Sequence, residues 1–417
     1  MDVRDDSGAH GRRRTLLGLA AGAALWAAAA VLLLRTQVPA LDLPRLDPTS
    51  VFSAAELDRI RAFRTVTRWL WIASTLIELG VLAVLAWRGR GLASAARRAL
   101  RLPPGARVRC GAAVAACCSV AVWLATLPVG AVGHWWYRRY GLTEQSYAAW
   151  LGDRALGLLV TTVVVVLAVA GAVYLAVRLG RRWWLAGSAA VAALGVLVVL
   201  AQPLVVEPLF NRFTPVDDRR LAAQIEAIGN RLGVGVESVD VSDASRRTTA
   251  ANARVTGIGP TRHVVLYDTL LDGRFAEREI LWVAAHELAH VARSHVWKGV
   301  AWFALFAIPG LAAIAWVTER RGGLRDPAAV PLALACAFAL SVLTLPAQNA
   351  ISRRYEAEAD WLALRVTDDP ASDIATQRRL AVTGLVDPDP PAWARIVLGT
   401  HPTTMQRIGM ARALEGR

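Results

Sequence analysis

Residues 281–291 read Leu281-Trp282-Val283-Ala284-Ala285-His286-Glu287-Leu288-Ala289-His290-Val291. The apolar flanks make this segment a mostly buried helix. His286 and His290 are four residues apart, so both imidazoles lie on one helical face and can reach one metal ion. Glu287 sits beside that ion, where it can take a proton from an attacking water. The competing account is a helix with two partly buried histidines and an ordinary surface glutamate. It leaves three polar residues on a buried helix without partners, which a metal supplies. The implied reaction is hydrolysis of an amide.

A hydrolytic zinc needs a third protein ligand and an open fourth position. The run Ser352-Arg353-Arg354-Tyr355-Glu356-Ala357-Glu358-Ala359-Asp360 offers the ligand. Glu356 and Asp360 share a helical face, and Glu358 points elsewhere. Glu356 completes a two-His, one-Glu set with His286 and His290. Asp360, one turn on, is spaced to hold the outer nitrogen of a ligand histidine. Taken alone, this stretch is a solvated helix face with Arg–Glu pairs. Beside the two histidines, the ligand reading prevails.

Around these motifs the chain of 417 residues is 55% hydrophobic, too apolar for an ordinary soluble enzyme. Seven apolar stretches reach the roughly 20 residues that span a bilayer. They lie near 15–34, 69–87, 111–132, 155–177, 184–205, 299–318 and 328–347, the sixth interrupted by Pro309-Gly310. Trp69, Trp71, Trp87, Trp135, Trp136, Tyr137, Trp183 and Trp184 gather at span ends, as an interfacial belt does. The net charge of +14 is almost all arginine, with Lys298 the single lysine. These arginines flank the spans and suit anionic lipid heads. A nucleic-acid reading lacks a basic soluble domain with stacking aromatics. Cys110, Cys117, Cys118 and Cys336 lie in or at the edge of spans and read as small packing residues, not a disulfide framework. The first stretch, after Arg12–Arg14, lacks a small-residue cleavage site and reads as a retained span.

The fold expected is mainly α: a polytopic membrane protein with seven transmembrane helices and a small α+β zincin-like catalytic domain built from two segments. Residues 1–206 hold five spans, 207–298 the first catalytic segment, 299–348 spans six and seven, and 349–417 a helical segment with Glu356. Residues 36–68 read as a polar loop with a short helix from about Ser53, and 134–154 as a second loop. In the catalytic segment an amphipathic helix near 217–232 precedes β-leaning runs at 237–242, 248–257 and 262–268. The last two form a hairpin around Gly257-Ile258-Gly259-Pro260. The helix of 275–296 carries the metal motif, and His295 near its end reads as a non-ligand interfacial histidine. Two spans separate the ligand-bearing segments, which returns both to one side of the membrane.

With these residues in place, the chain resembles the type I CAAX prenyl endopeptidases, integral-membrane zinc proteases, as a bacterial member. The resemblance rests on His286–His290, the Ser352–Asp360 run and the order of spans. Tyr140-Gly141-Leu142, Phe210–Pro215, Leu266–Leu271, Asn252-Ala253 and His401-Pro402 resemble further landmarks of that family. It implies zinc on His286, His290 and Glu356, Glu287 as base, and His401 near the scissile carbonyl. It also implies that Asn252 and Ala253 belong to a strand that pairs with substrate backbone, by β-augmentation. The expected activity is hydrolysis of peptide or membrane-protein substrates, CAAX-type C-termini among the candidates, in the cell membrane. The bilayer is the second partner. A membrane signal sensor with the same motif needs an extra ligand-binding domain, and a scaffold that kept the fold needs no metal. Arginine-rich short loops put the N-terminus in the cytoplasm and the catalytic face outside, whereas eukaryotic relatives face the cytosol.

Overall fold

The computed structural model describes residues 6–39, 43–257, 259 and 262–415. The first half holds helices α1 (Asp6–Leu33), α2 (Ala54–Trp87), α3 (Gly89–Ala99), α4 (Arg107–Arg139), α5 (Tyr147–Leu179), α6 (Trp183–Ala201) and the single turn α7 (Glu207–Phe210). Next come β1 (Phe213–Pro215), α8 (Arg219–Arg231), β2 (Ser238–Ser242), β3 (Ala253–Thr256), β4 (His263–Tyr267) and α9 (Glu277–Ala292). Helices α10 (His295–Glu319) and α11 (Val330–Thr367) follow, then α12 (Pro370–Thr383), α13 (Ala392–Val397) and α14 (Thr404–Glu415).

Local chemistry sets several of these boundaries. Ser53 caps α2: its Oγ accepts from the Glu56 amide at 3.3 Å, and its own N–H donates to Glu56 Oε2 at 2.8 Å. The short helix expected at Ser53 is therefore the start of α2, which continues into the second apolar stretch. The expected loop at 134–154 shrinks to 140–146, because α4 persists to Arg139 and Ser146 caps α5. Pro309 lies inside α10 without ending it.

Among the described residues, five helical segments are long and apolar enough to cross a membrane: Ala54–Trp87, Arg107–Arg139, Tyr147–Phe210, His295–Glu319 and Pro327–Thr367. The hydropathy pattern predicts seven. Helices α5 and α6 fall within one 64-residue segment, and the part of α1 whose side chains are described, Ala20–Leu33, is shorter than the rest. Gly180, at φ +58°, is where α5 gives way before α6 packs back against it. Cys110, Val114 and Cys118 of α4 are buried with Val173, Trp183 and Val330. A Cβ at Gly111 would stand 3.0 Å from Val173 Cγ2, so the glycine lets α4 and α5 approach without displacing that side chain. Leu76, Leu124, Leu159, Leu197 and Leu343 face outward and exposed, the expected lining toward hydrocarbon.

Outside this helical array stands a four-stranded sheet of order β1-β2-β4-β3. Strands β2 and β4 are parallel, Val239 opposite Val264 and Val241 opposite Leu266, with antiparallel β1 and β3 on the edges. The expected hairpin exists, but its first strand starts at Ala253. Residues just before it are drawn instead to the α4–α5 loop, where Thr249 N–H donates to Leu142 O (3.1 Å) and Thr249 Oγ1 to Gly141 O (2.8 Å). Strand β1 was not anticipated; it is three residues long and ends in Pro215, which only an edge tolerates. Asp218 caps α8, whose Leu221, Ile225 and Ile228 are buried in one core with Ile280, Ala284 and Leu288 of α9. Helix α11 enters this core with its last turns. Buried Ala284, Ala285 and Ala289 on α9 and Ala359 and Ala363 on α11 leave room for the two helices to lie close.

Candidate metal centre

Close packing of α9 on α11 converges three side chains. His286 Nε2 and His290 Nε2 are 3.1 Å apart. Glu356 Oε2 lies 3.2 Å from the first and 3.5 Å from the second. Four ligands around a zinc with bonds of about 2.0–2.1 Å stand roughly 3.3 Å from one another, so this spacing fits such an ion. A second observation supports the fit. Glu356 Oε2 is buried among ring nitrogens yet receives no aligned hydrogen bond. An acceptor left so would cost free energy, and a cation at the point of convergence would satisfy it. Burial disfavours a proton on His286, but its contacts with Asp360 and Glu356 outweigh that and push the ring up to about 10. The carboxylates here thus favour positive charge.

Outer contacts hold His286 in place. Asp360 Oδ1 is 2.9 Å from His286 Nδ1. Arg407 of α14 clamps that carboxylate with two donors, Nε to Oδ2 at 2.9 Å and Nη2 to Oδ1 at 2.6 Å. The same guanidinium lies 5.5 Å over the Trp282 ring, which stacks on His286. Arg407 was not singled out from sequence; it is 47 residues from Asp360 and no local spacing signals it.

Glu287 lines a cavity of about 780 Å3 together with His286, Asn252, His401 and Arg407. Among the described residues its carboxylate accepts no hydrogen bond. Burial raises its pKa above the usual carboxylate range, opposed by His286 and His290. An unpaired carboxylate of raised basicity beside the cluster suits proton transfer. A second, apolar cavity of about 770 Å3 reaches His290 and Glu356 from the other side, lined by Trp302, Phe303, Phe306 and Leu340.

His401 joins the cluster, its Nε2 3.0 Å from Glu356 Oε2 and its Nδ1 2.9 Å from Thr400 Oγ1. Helix α11 holds that loop: Arg353 donates to Arg395 O and Gly399 O, and Asn349 to Val397 O. Asn252 is exposed at the rim, and its Oδ1 accepts from the Ala253 N–H at 2.9 Å. Ala253 is buried beneath, on edge strand β3.

Glu358 does point away from the cluster, but into protein, where it is wholly buried. His295 lies outside the three-residue cluster, and it is buried rather than exposed at the helix end. It opens α10 after Ser294 takes a left-handed φ of +55°, and it is buried against His290 and Glu358.

Comparison with known proteins follows the same two-part division. A family model described as peptidase family M48 matches residues 215–415. Another, described as CAAX prenyl protease N-terminal, five membrane helices, matches residues 44–212. The uncharacterised metalloprotease YhfN of Bacillus subtilis (strain 168) is 31% identical over 307 residues, 71% of this chain and 72% of the relative. CAAX prenyl protease 1 of Saccharomyces cerevisiae is 35% identical over 102 residues, 24% of this chain and 22% of that protein. The crystal structure of S. mikatae Ste24p matches with a TM-score of 0.76 over 93% of this chain and 96% of that one, at 19% identity, a likeness of fold.

Proposed function

The chain belongs to peptidase family M48, and from that premise we propose that it cleaves peptide bonds at a zinc ion held by His286, His290 and Glu356, with Glu287 as general base. It is a multi-pass membrane metalloprotease. When bound, zinc supplies the Lewis acidity that lets water attack an amide at neutral pH. Glu287 takes the proton from that water and returns it to the leaving amine. His401 donates a hydrogen bond to the oxygen of the peptide carbonyl as charge develops there. Asp360, gripped by Arg407, keeps His286 oriented. An extended substrate adds along β3, with Asn252 and Ala253 holding its backbone.

The observation that carries this reading is the convergence of two imidazole nitrogens and an unsatisfied buried carboxylate oxygen beside an unpaired Glu287. The substrates we infer are peptides or membrane proteins, CAAX-type C-termini among them. The apolar cavity beside His290 suits side chains or lipid on the far side of the cut bond. Seven crossings are the topology we favour. A straight helix over Tyr147–Phe210 would measure ~96 Å at ~1.5 Å per residue, against a hydrocarbon core of ~30 Å, so α5 and α6 cross separately. Helix α1 supplies the remaining span, and the cell membrane is the location we propose.

Purified protein in detergent tests this. Zinc content by mass spectrometry and cleavage of a quenched fluorescent peptide are measured before chelation, after it, and on return of zinc. Activity should follow zinc, and Glu287→Ala should keep zinc and lose turnover. Full turnover by the metal-stripped protein, or by Glu287→Ala, would overturn the assignment.

A further inference from the structure

The two histidines of the cluster are supported differently. His286 meets a carboxylate directly. His290 meets another histidine: His290 Nδ1 lies 2.9 Å from His295 Nδ1, and His295 Nε2 lies 3.0 Å from Glu358 Oε2. We propose that Glu358 and His295 form a positioning relay that fixes the tautomer and orientation of His290 for metal binding. The inference rests on the zinc reading above and adds two residues to it.

Proton bookkeeping along a line of three groups settles the tautomers. A carboxylate only accepts, so His295 carries its proton on Nε2 toward Glu358. Neutral His295 then has a bare Nδ1. Two ring nitrogens at 2.9 Å need one proton between them, so His290 supplies it from Nδ1. That leaves His290 Nε2 bare, facing His286 Nε2 and Glu356 Oε2 as a ligand must. The opposite assignment, with a proton on His290 Nε2, would block the site. One buried carboxylate therefore dictates which nitrogen of His290 is available.

The surroundings keep the relay rigid. Glu358 is fully buried, and its Oε1 accepts from the Gln37 amide at 2.7 Å and from Arg293 Nε at 2.9 Å. The His295 ring stacks on Tyr355 at 4.7 Å and 13°. Tyr355 is pinned in turn, its hydroxyl donating to Leu33 O at 2.6 Å and accepting from Trp302 Nε1 at 2.9 Å. The backbone contributes too. In an unbroken helix, residue 295 would lie about 140° around the axis from His290, since each residue turns the helix ~100°. The left-handed Ser294 breaks that progression and returns the His295 ring to His290.

The test reads metal affinity rather than turnover. Zinc dissociation constants are measured by chelator competition on purified protein, with the visible spectrum of the cobalt-loaded form as a second report on ligand geometry. His295→Phe keeps the ring stacked on Tyr355 but can neither accept from His290 nor donate to Glu358. It should weaken zinc binding 10- to 100-fold, as loss of an outer-sphere partner typically does, and alter the cobalt spectrum. His295→Gln, with an acceptor and a donor of similar reach, should recover most of that loss. His295→Asn, too short to join both partners, should bind as weakly as the phenylalanine variant and serves where the latter fails to fold. Wild-type affinity in folded His295→Phe or His295→Asn overturns the relay while leaving the zinc reading intact. A wild-type protein that binds no zinc overturns both.

Discussion

Helix α11 is one continuous helix with two chemistries. From Val330 to about Leu345 it is mostly Val, Leu, Ala, Cys and Phe, with Ser341 and Thr344 bonded back to the helix's own carbonyls; of its buried positions, Val330, Pro331 and Ala333, the first and last belong to the apolar cluster around α4 and α5. From Asn349 to Leu364 it buries Asn349, Glu358 and Asp360, with Glu356 only 13% exposed. Each of these polar groups meets something from another element: Val397 O, His295, Arg407 or the paired histidines. Backbone geometry does not distinguish the halves; their neighbours do. An apolar residue inside an apolar helix array says only that the array packs. A buried carboxylate demands a compensating partner, and the identity of that partner carries the function.

If this contrast is right, substitutions in the second half should strike the metal, and those in the first should strike only packing. The largest effect is expected from Glu356→Ala. Zinc content should fall from about one per chain to background, and peptidase activity with it, since two histidines alone leave the ion under-coordinated. Bound zinc in that variant at wild-type affinity would break the comparison outright. Next comes Glu287→Gln, on the partner helix α9. It should retain zinc and lose about 10²- to 10⁴-fold in kcat, read from peptide cleavage at saturating substrate. Smaller again is Arg407→Met, which removes both donors from Asp360. Zinc affinity should drop ~10-fold, with the protein still folded by circular dichroism.

Sequence spacing reached the part of this site that is local. His286 with His290, and Glu356 with Asp360, are four-residue intervals on helices, and helical periodicity alone puts each pair on one face. The hydropathy pattern likewise made the membrane helices legible. What escaped depends on tertiary contact or on breaks in regularity. Arg407 reaches Asp360 only because α14 folds against α11. Glu358, turned off the ligand face, was set aside because periodicity cannot tell a solvated side from one covered by another helix. The burial of His295 is not legible because the left-handed turn at Ser294 has no counterpart in a periodic pattern. The strand expected from Thr248 begins five residues later because the α4–α5 loop claims the intervening backbone.

The smallest effects belong to the apolar half of α11, and they sharpen the contrast by being silent at the metal. Val330 is fully buried in the cluster with Val114 and Val173, so Val330→Ala removes two methyl groups from a packed site. A loss of roughly 1–3 kcal/mol is expected, by analogy with other large-to-small core changes. Leu343, 73% exposed, faces outward, and Leu343→Ala exchanges one lipid-facing apolar side chain for another. Its effect should stay within about 0.5 kcal/mol. Thermal unfolding in one detergent, followed alongside zinc affinity for both variants, separates the two quantities. Val330→Ala should lower the unfolding midpoint and leave zinc affinity unchanged, because Val330 packs in the apolar cluster around α4 and α5, more than twenty residues along α11 from Glu356. If Val330→Ala instead lowered zinc affinity as Arg407→Met does, the two halves of the helix would be coupled through packing, and the division drawn between them would fail.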